Sequence, residues 1–370
     1  MSAGTSKFLC PVTPQFEEID SLLHILIWIS SLLLLAIVLG IGYQKFGTRR
    51  DLKLNPPPGK LIDLGTHRLH LLDVGKAQGN GRPTILLEAG LMSTVLSWNE
   101  VRDELAKSYR VISYDRAGLG WSDPGPHPRH IDRIVDELSL LLERSAIAGP
   151  FILVGHSFGG LTMPLFAARY PDKTVGLVLV DPVAPAEWNP PSEQDRKRAE
   201  IGAKVCRRAA WLARIGFIRF IAFLLTSGAK KIADYFVRLI SRGTPQGSGN
   251  VRSPLFWNLP AQERAMTGVF WVQEKFCVTI ASQLENLPAA AARVAELGNF
   301  TDKPVVILSA SSIPARRLEE HRAMAKRLTN GRHVLADQSS HWIMQDQREL
   351  VLEAVHAIVH GVPKSEELPI

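Results

Sequence analysis

The sequence predicts an α/β fold: a mostly parallel, eight-stranded sheet with helices on both faces, one late helical insertion, and an apolar helix ahead of it. Three observations predict it. Short continuous apolar runs, such as 84–88, 151–154 and 175–180, alternate with stretches of helical spacing, the pattern of buried parallel strands joined by crossover helices. Gly155-His156-Ser157-Phe158-Gly159 breaks one such run and opens a helix-like stretch at 161–170. Residues 22–42, LLHILIWISSLLLLAIVLGIG, hold no charged side chain over about the length of roughly 20 residues that a bilayer requires.

The apolar segment is read as an uncleaved transmembrane anchor. A secretory signal would begin with a basic region and end at a small-residue cleavage site; here Glu17, Glu18 and Asp20 precede the segment. Lys7 and the amino terminus lie before it, and Lys45, Arg49, Arg50, Lys53 and Lys60 follow. The positive-inside rule therefore puts the larger, carboxyl-terminal part of a single-pass chain in the cytoplasm. Cysteines at 10, 206 and 277 are isolated, too few for a disulfide framework or metal knuckle, and agree with a reduced compartment.

Composition narrows the class further. With 46% hydrophobic and 21% charged residues, the 370-residue chain is globular. Its formal charge of +7 is spread thinly, and the densest basic runs, 194–198 and 315–317, read as solvated helix faces. A nucleic-acid surface would need a basic stripe with reader motifs, so no such partner is expected.

After the anchor, Asn55-Pro56-Pro57-Pro58-Gly59 is a stiff spacer. Runs 60–64 and 68–74, joined at Gly65-Thr66, form an edge hairpin, and 84–88 and 110–114 are buried-type strands. Apolar residues at 131, 134, 135, 138, 141 and 142 predict a helix over 131–145. Strands 151–154 and 175–180 follow, the second ending in Asp181-Pro182. From 182 to 300 helical segments dominate (192–208, 211–225, 229–241 and beyond 261), the composition of an inserted cap. Strand 304–309, helix 316–328, strand 332–336 and helix 348–360 complete the sheet layer. The expected organisation is a tail (1–21), anchor (22–42), basic and proline-rich linker (43–60), core (61–181 with 301–362), cap (182–300) and tail (363–370).

Residues 155–159 fit G-x-S-x-G, the nucleophile elbow, which holds a serine on a tight strand-to-helix turn. Side chains two positions either side of that serine would clash, hence the glycines. With Asp115-Arg116-Ala117-Gly118-Leu119-Gly120-Trp121-Ser122 and the late loop Ser339-Ser340-His341, this order of parts resembles the α/β-hydrolase superfamily over residues 61–360, closest to its capped, single-domain serine hydrolases. The resemblance implies a hydrolase fold, a Ser-acid-His triad and no metal or organic cofactor. Two departures stand out. Where many members have His-Gly after the third strand, this chain has Glu88-Ala89-Gly90-Leu91, and the seventh strand runs into 310–316 without a carboxylate. Other members carry the acid directly after the sixth strand, where Asp181 sits.

The resemblance thus implies Ser157 as nucleophile, His341 as base, Asp181 as acid, and the backbone N–H groups of Leu91 and Phe158 as oxyanion donors. Alternatives stand beside each role. Ser157 can be an idle serine on a Gly-rich turn, His341 a surface loop histidine, and Asp181 an N-cap for the first cap helix. His156 is read as packing beneath the elbow, and Asp115 and Arg116 as fixing the loop after the fourth strand. Trp121 and Trp342 line the pocket or belong to the core; Glu88 tunes a pKa or bonds backbone N–H groups. Relatives that open epoxides or remove halides use aspartate at the elbow, so Ser157 points to acyl transfer. The expected activity is hydrolysis of a carboxylic ester by a membrane-anchored enzyme. A small, apolar acyl substrate is expected from the greasy run at 209–225, which lies at the bilayer interface or faces the cap's own core. An amidase or peptidase of the same fold, or a non-catalytic ligand-binding protein, are the alternatives.

Overall fold

The structure, a computed structural model, describes residues 14–76, 82–226 and 261–361. Helix α1 (Pro14–Leu54) precedes the hairpin β1 (Lys60–Asp63) and β2 (Arg68–Val74). Then come β3 (Thr84–Glu88), α2 (Asn99–Leu105), β4 (Val111–Tyr114), α3 (Ile131–Arg144), β5 (Phe151–His156), α4 (Gly159–Arg169) and β6 (Thr174–Val180). The insertion holds α5 (Pro185–Trp188), α6 (Glu193–Arg214), α7 (Phe217–Thr226), α8 (Ala261–Trp271), α9 (Glu274–Glu285) and α10 (Leu287–Ala295). The chain returns to β7 (Val305–Ala310), α11 (Ala315–Arg327), β8 (Gly331–Ala336), α12 (Ile343–Asp346) and α13 (Arg348–His360).

The eight strands are ordered β1-β2-β4-β3-β5-β6-β7-β8. β1 pairs with β2, and β2 with β4, antiparallel; every other pairing is parallel. Side chains alternate across the sheet. On β5, Phe151 and Leu153 enter the cluster on one face while Ile152 and Val154 enter the cluster on the other. Helix α3 contributes Ile131, Ile134, Val135, Leu138, Leu141 and Leu142, all buried, as its predicted stripe requires. Each such side chain contributes about 1.5–3 kcal/mol by leaving water. The strand order reverses between β3 and β5, with β4 on the far side of β3. The crevice outside the carboxyl ends of the strands at such a reversal is where open α/β sheets place ligands.

Three elements differ from the sequence expectation. The linker expected over 43–60 is helical as far as Leu54, because no proline interrupts the chain between Gly42 and Pro56 and Gln44 and Leu52 pack against the folded domain. The apolar run at 211–225 is two helices: α6 ends at Arg214 and α7 starts at Phe217. Gly216 between them has φ +76° and lies so close to α1 that a Cβ there would stand 2.4 Å from Gly40 O. Within the expected cap of 182–300, α10 sends Leu287, Ala290 and Val294 into the cluster over the sheet, so its stripe covers the core layer. The helix expected at 229–241 lies outside the described residues.

Candidate active site

Ser157 sits between β5 and α4 with φ 52°, in the left-handed region that a non-glycine residue adopts only under constraint. Hydrogen bonds within the turn and to the end of β6 impose it. Ser157 N donates to Val180 O at 3.1 Å, and Ser157 O accepts from Gly160 N and Val183 N, each at 2.9 Å. A Cβ at Gly155 would stand 2.4 Å from Gly159 O, and one at Gly159 would stand 2.8 Å from Glu88 O. Both elbow glycines are therefore steric requirements, Gly155 within the turn and Gly159 against the end of β3.

Asp181 follows β6 and also has positive φ, 40°. Its side chain is fully buried. Ala310 N donates to its Oδ1 at 3.2 Å, and Oδ2 lies 2.5 Å from His341 Nδ1. A carboxylate at Nδ1 holds the proton there and leaves Nε2 as the free base. His341 comes from the loop between β8 and α12, with its side chain 37% exposed.

His156, which precedes the elbow serine, joins the two loops. Its Nε2 donates to His341 O at 2.9 Å, and the two rings stand 4.6 Å apart. Burial, reinforced by the neighbouring His341, holds His156 well below the ordinary histidine range, so it stays neutral and serves as a fixed donor. Trp342 packs against it at 4.8 Å. Among the described residues, the Ser157 hydroxyl makes no hydrogen bond to His341. The imidazole is brought to Asp181, and His156, the residue before the serine, holds the His341 backbone. Catalytic contacts of this kind are often long without substrate.

The expected oxyanion donors flank the serine. A Cβ on Gly90 would lie 3.3 Å from Ser157 Cβ, so the 89–91 turn abuts the elbow. Phe158 opens α4, whose positive dipole end faces the same place. Among the described residues, neither the Leu91 nor the Phe158 N–H is taken up by another protein group.

Arg116 sets the geometry of this turn, which sequence reasoning did not foresee. The sequence suggested that it fixes its own loop after β4. Instead, the buried guanidinium reaches across to the loop after β3. It donates to Ala89 O at 2.6 Å, Gly90 O at 2.5 Å and Leu91 O at 3.3 Å, pairs with the Glu88 carboxylate, and lies 5.2 Å from the Phe158 ring centre. Burial pushes the Glu88 carboxyl up, against the opposing pull of Arg116. A signal was present: β3 and β4 are adjacent parallel strands, with Leu87 opposite Ser113, so Glu88 and Arg116 leave the sheet at the same edge. Asp115 accepts from Trp121 N in its own loop at 3.2 Å, and also from His70 Nδ1 at 2.8 Å and Val95 N at 2.9 Å.

A second buried network lies under Asp181. His321 Nε2 donates to Pro182 O at 2.8 Å, and the Ser309 hydroxyl bridges His321 Nδ1 (2.7 Å) and His333 Nε2 (2.9 Å). It tethers the residue after the acid to β7 and α11. Among the described residues, no group of three His, Cys, Asp or Glu side chains is placed to hold a metal ion.

Residues 83–346 match the model of the alpha/beta hydrolase fold family, and the chain belongs to that family. Among curated proteins, a probable transporter of Hormonema carpetanum is 38% identical over 125 residues, covering 33% of this chain and 18% of that one. Mouse epoxide hydrolase 4 is 28% identical over 166 residues, 41% of this chain and 45% of that one. The chain thus spans less than half the length of either relative. Among solved structures, a thermophilic esterase from Thermogutta terrifontis superposes with a TM-score of 0.56 at 21% identity, covering 80% of this chain and 94% of the esterase; the likeness is one of fold.

Proposed function

We propose that the protein is a membrane-anchored serine hydrolase that cleaves carboxylic esters carrying an apolar acyl group. Ser157 is the nucleophile, His341 the base and Asp181 the acid; the backbone N–H groups of Leu91 and Phe158 hold the oxyanion. The observation that carries this reading is the 2.5 Å contact between His341 Nδ1 and the buried Asp181 carboxylate, beside a serine held at φ 52°. A loop histidine or a helix-capping aspartate would have no need of that pairing.

In the first half-reaction His341 Nε2 takes the Ser157 proton as Oγ attacks the carbonyl carbon. The two free N–H groups receive the developing oxyanion, each worth about 3 kcal/mol in such sites. Collapse of the tetrahedral adduct expels the alcohol, which leaves with the proton from His341. Water then attacks the acyl-enzyme with His341 again as base, releasing the acid and restoring Ser157. The likeness to an epoxide hydrolase is not extended to this chain, because epoxide opening on this fold uses an aspartate where Ser157 stands.

Helix α1, whose apolar stretch is exposed from Leu22 to Ala36 and reaches a mean hydropathy of 2.7 over 18 residues, supports the anchor. The basic residues following it favour a cytoplasmic catalytic domain. The test is labelling of the full-length protein in detergent with a fluorophosphonate. Labelling in the parent and none in Ser157→Ala is the expected result; an unlabelled, folded parent would overturn the hydrolase reading.

A further inference from the structure

We infer that the cap carries a second membrane contact: α1 and the α6–α7 corner form one docked unit that seats the exposed apolar face of the cap in the lipid interface. The inference rests on reading α1 as the anchor, and it deepens that reading by naming a lipid surface as the cap's partner.

The docking is tight and specific. Gly40 of α1 meets the α6–α7 corner backbone to backbone: a Cβ there would stand 2.2 Å from Ile215 O, and one at Gly216 2.4 Å from Gly40 O. Two turns on, Gly47 leaves room for the Arg219 side chain, which a Cβ would meet at 2.7 Å. Arg219 is nearly buried; it contacts Asp51 Oδ2 at 2.5 Å, Gln44 Oε1 at 3.0 Å and Thr48 Oγ1 at 3.1 Å. Gln44 in turn donates to Val272 O at 3.0 Å. Leu52 packs on Val95, Trp121 and Phe270, and Trp121 Nε1 donates to Asn55 O. The last turns of α1 are therefore a fixed part of the folded domain.

That fixes the height of the cap. The apolar stretch from Leu22 to Gly42 spans about 31 Å as a helix, matching a hydrocarbon core of about 30 Å. Gly40 then lies at the lipid boundary, and the corner it touches lies there too. Large side chains at this level are exposed: Tyr43 and Phe46 on α1, Trp211 on α6, Phe220 and Leu225 on α7. Trp211 is 58% and Phe220 45% exposed. Aromatic residues at the end of a span mark the headgroup region, and an apolar helix carrying them lies in that plane. Exposed Lys45, Arg49, Arg50 and Arg214 add attraction to anionic headgroups. Next to Trp211 on α6, Ala210 packs in a cluster that includes Leu91. One helix thus links the lipid-facing surface to the oxyanion turn, which suits an acyl ester drawn from the bilayer.

The test uses the full-length protein in phosphatidylcholine–phosphatidylserine vesicles. Single cysteines are placed at Trp28→Cys, Phe220→Cys, Trp211→Cys and Lys326→Cys in a Cys10→Ser, Cys206→Ala, Cys277→Ala background. Each is labelled with an environment-sensitive fluorophore and challenged with brominated lipid; folding is checked by circular dichroism. Emission at residues 28, 211 and 220 should fall to about half or less, as expected of groups at or below the acyl boundary, while 326, beside the far edge strand β8, stays unchanged. Quenching at 28 with none at 211 or 220 overturns this inference and leaves the anchor standing. No quenching at 28 overturns the anchor and the inference with it. A concentration-dependent blue shift at 220 that brominated lipid does not quench assigns the face to a second copy of the chain and also overturns it.

Discussion

Replacing Arg116 by lysine tests whether the turn after β3 is positioned from β4. The guanidinium is buried and spreads its donors over four acceptors, the Glu88 carboxylate and the carbonyls of Ala89, Gly90 and Leu91. Lysine keeps the charge that the buried Glu88 needs, but a single ammonium cannot span acceptors contributed by four successive residues. Losing a charge-assisted bond typically costs about 1.5–3 kcal/mol. With one or two lost and the rest rearranged, the folded state should lose about 3 kcal/mol, read as a lower urea midpoint. The kinetic effect has a separate ceiling. Removing one oxyanion donor costs roughly 100- to 1,000-fold in kcat. A Leu91 N–H that is displaced but still present should cost towards the lower end, about 100-fold or 2.7 kcal/mol, with KM changed less than about three-fold. The assay is ester turnover and the rate of fluorophosphonate labelling, both at a temperature where the variant is folded. A purely structural Arg116 would lower stability and leave kcat alone. A folded Arg116→Lys protein with kcat within about three-fold of the parent would refute the positioning role.

Two further outcomes follow. Asp181→Asn keeps the shape of the acid but presents an amide to His341 Nδ1 and favours the wrong tautomer; kcat should fall about 10,000-fold while the fold survives, and near-parental turnover would remove Asp181 from the triad. His156, His321 and His333 are all held below the ordinary histidine range by burial, His333 at about 4. The unfolded chain therefore binds protons first, so this stability is whole above about pH 6.5 and is lost as pH falls towards 4, with Glu88, raised by burial, acting in the opposite sense. Urea midpoints measured from pH 7 to 4.5 should decline, and His333→Asn should flatten the decline; an equally steep fall in the variant would exclude His333 as a source.

What the sequence determined by itself is what short-range physics determines. The elbow was legible because its motif spans five residues and the clash that demands Gly155 lies within them; Gly159 is demanded by Glu88 of the neighbouring strand. The strands were legible because those buried on both faces must be continuously apolar, and the candidate span because its length is set by bilayer thickness. The order of elements also marked Ser157, Asp181 and His341 as candidates at strand ends. Tertiary structure alone decided the contacts between them. The parallel sheet lines up the carboxyl ends of its strands, and this sets His341 against Asp181 across 160 positions. Arg116 lay in a recognised motif, yet its reach to residues 88–91 depends on β3 and β4 being neighbours. The stretch after Gly42 looked like a linker because the partners of Gln44, Arg219 and Val272, lie 175 and 228 positions away. Contacts of that range leave no periodicity in the sequence; they exist only once the sheet has set the distances.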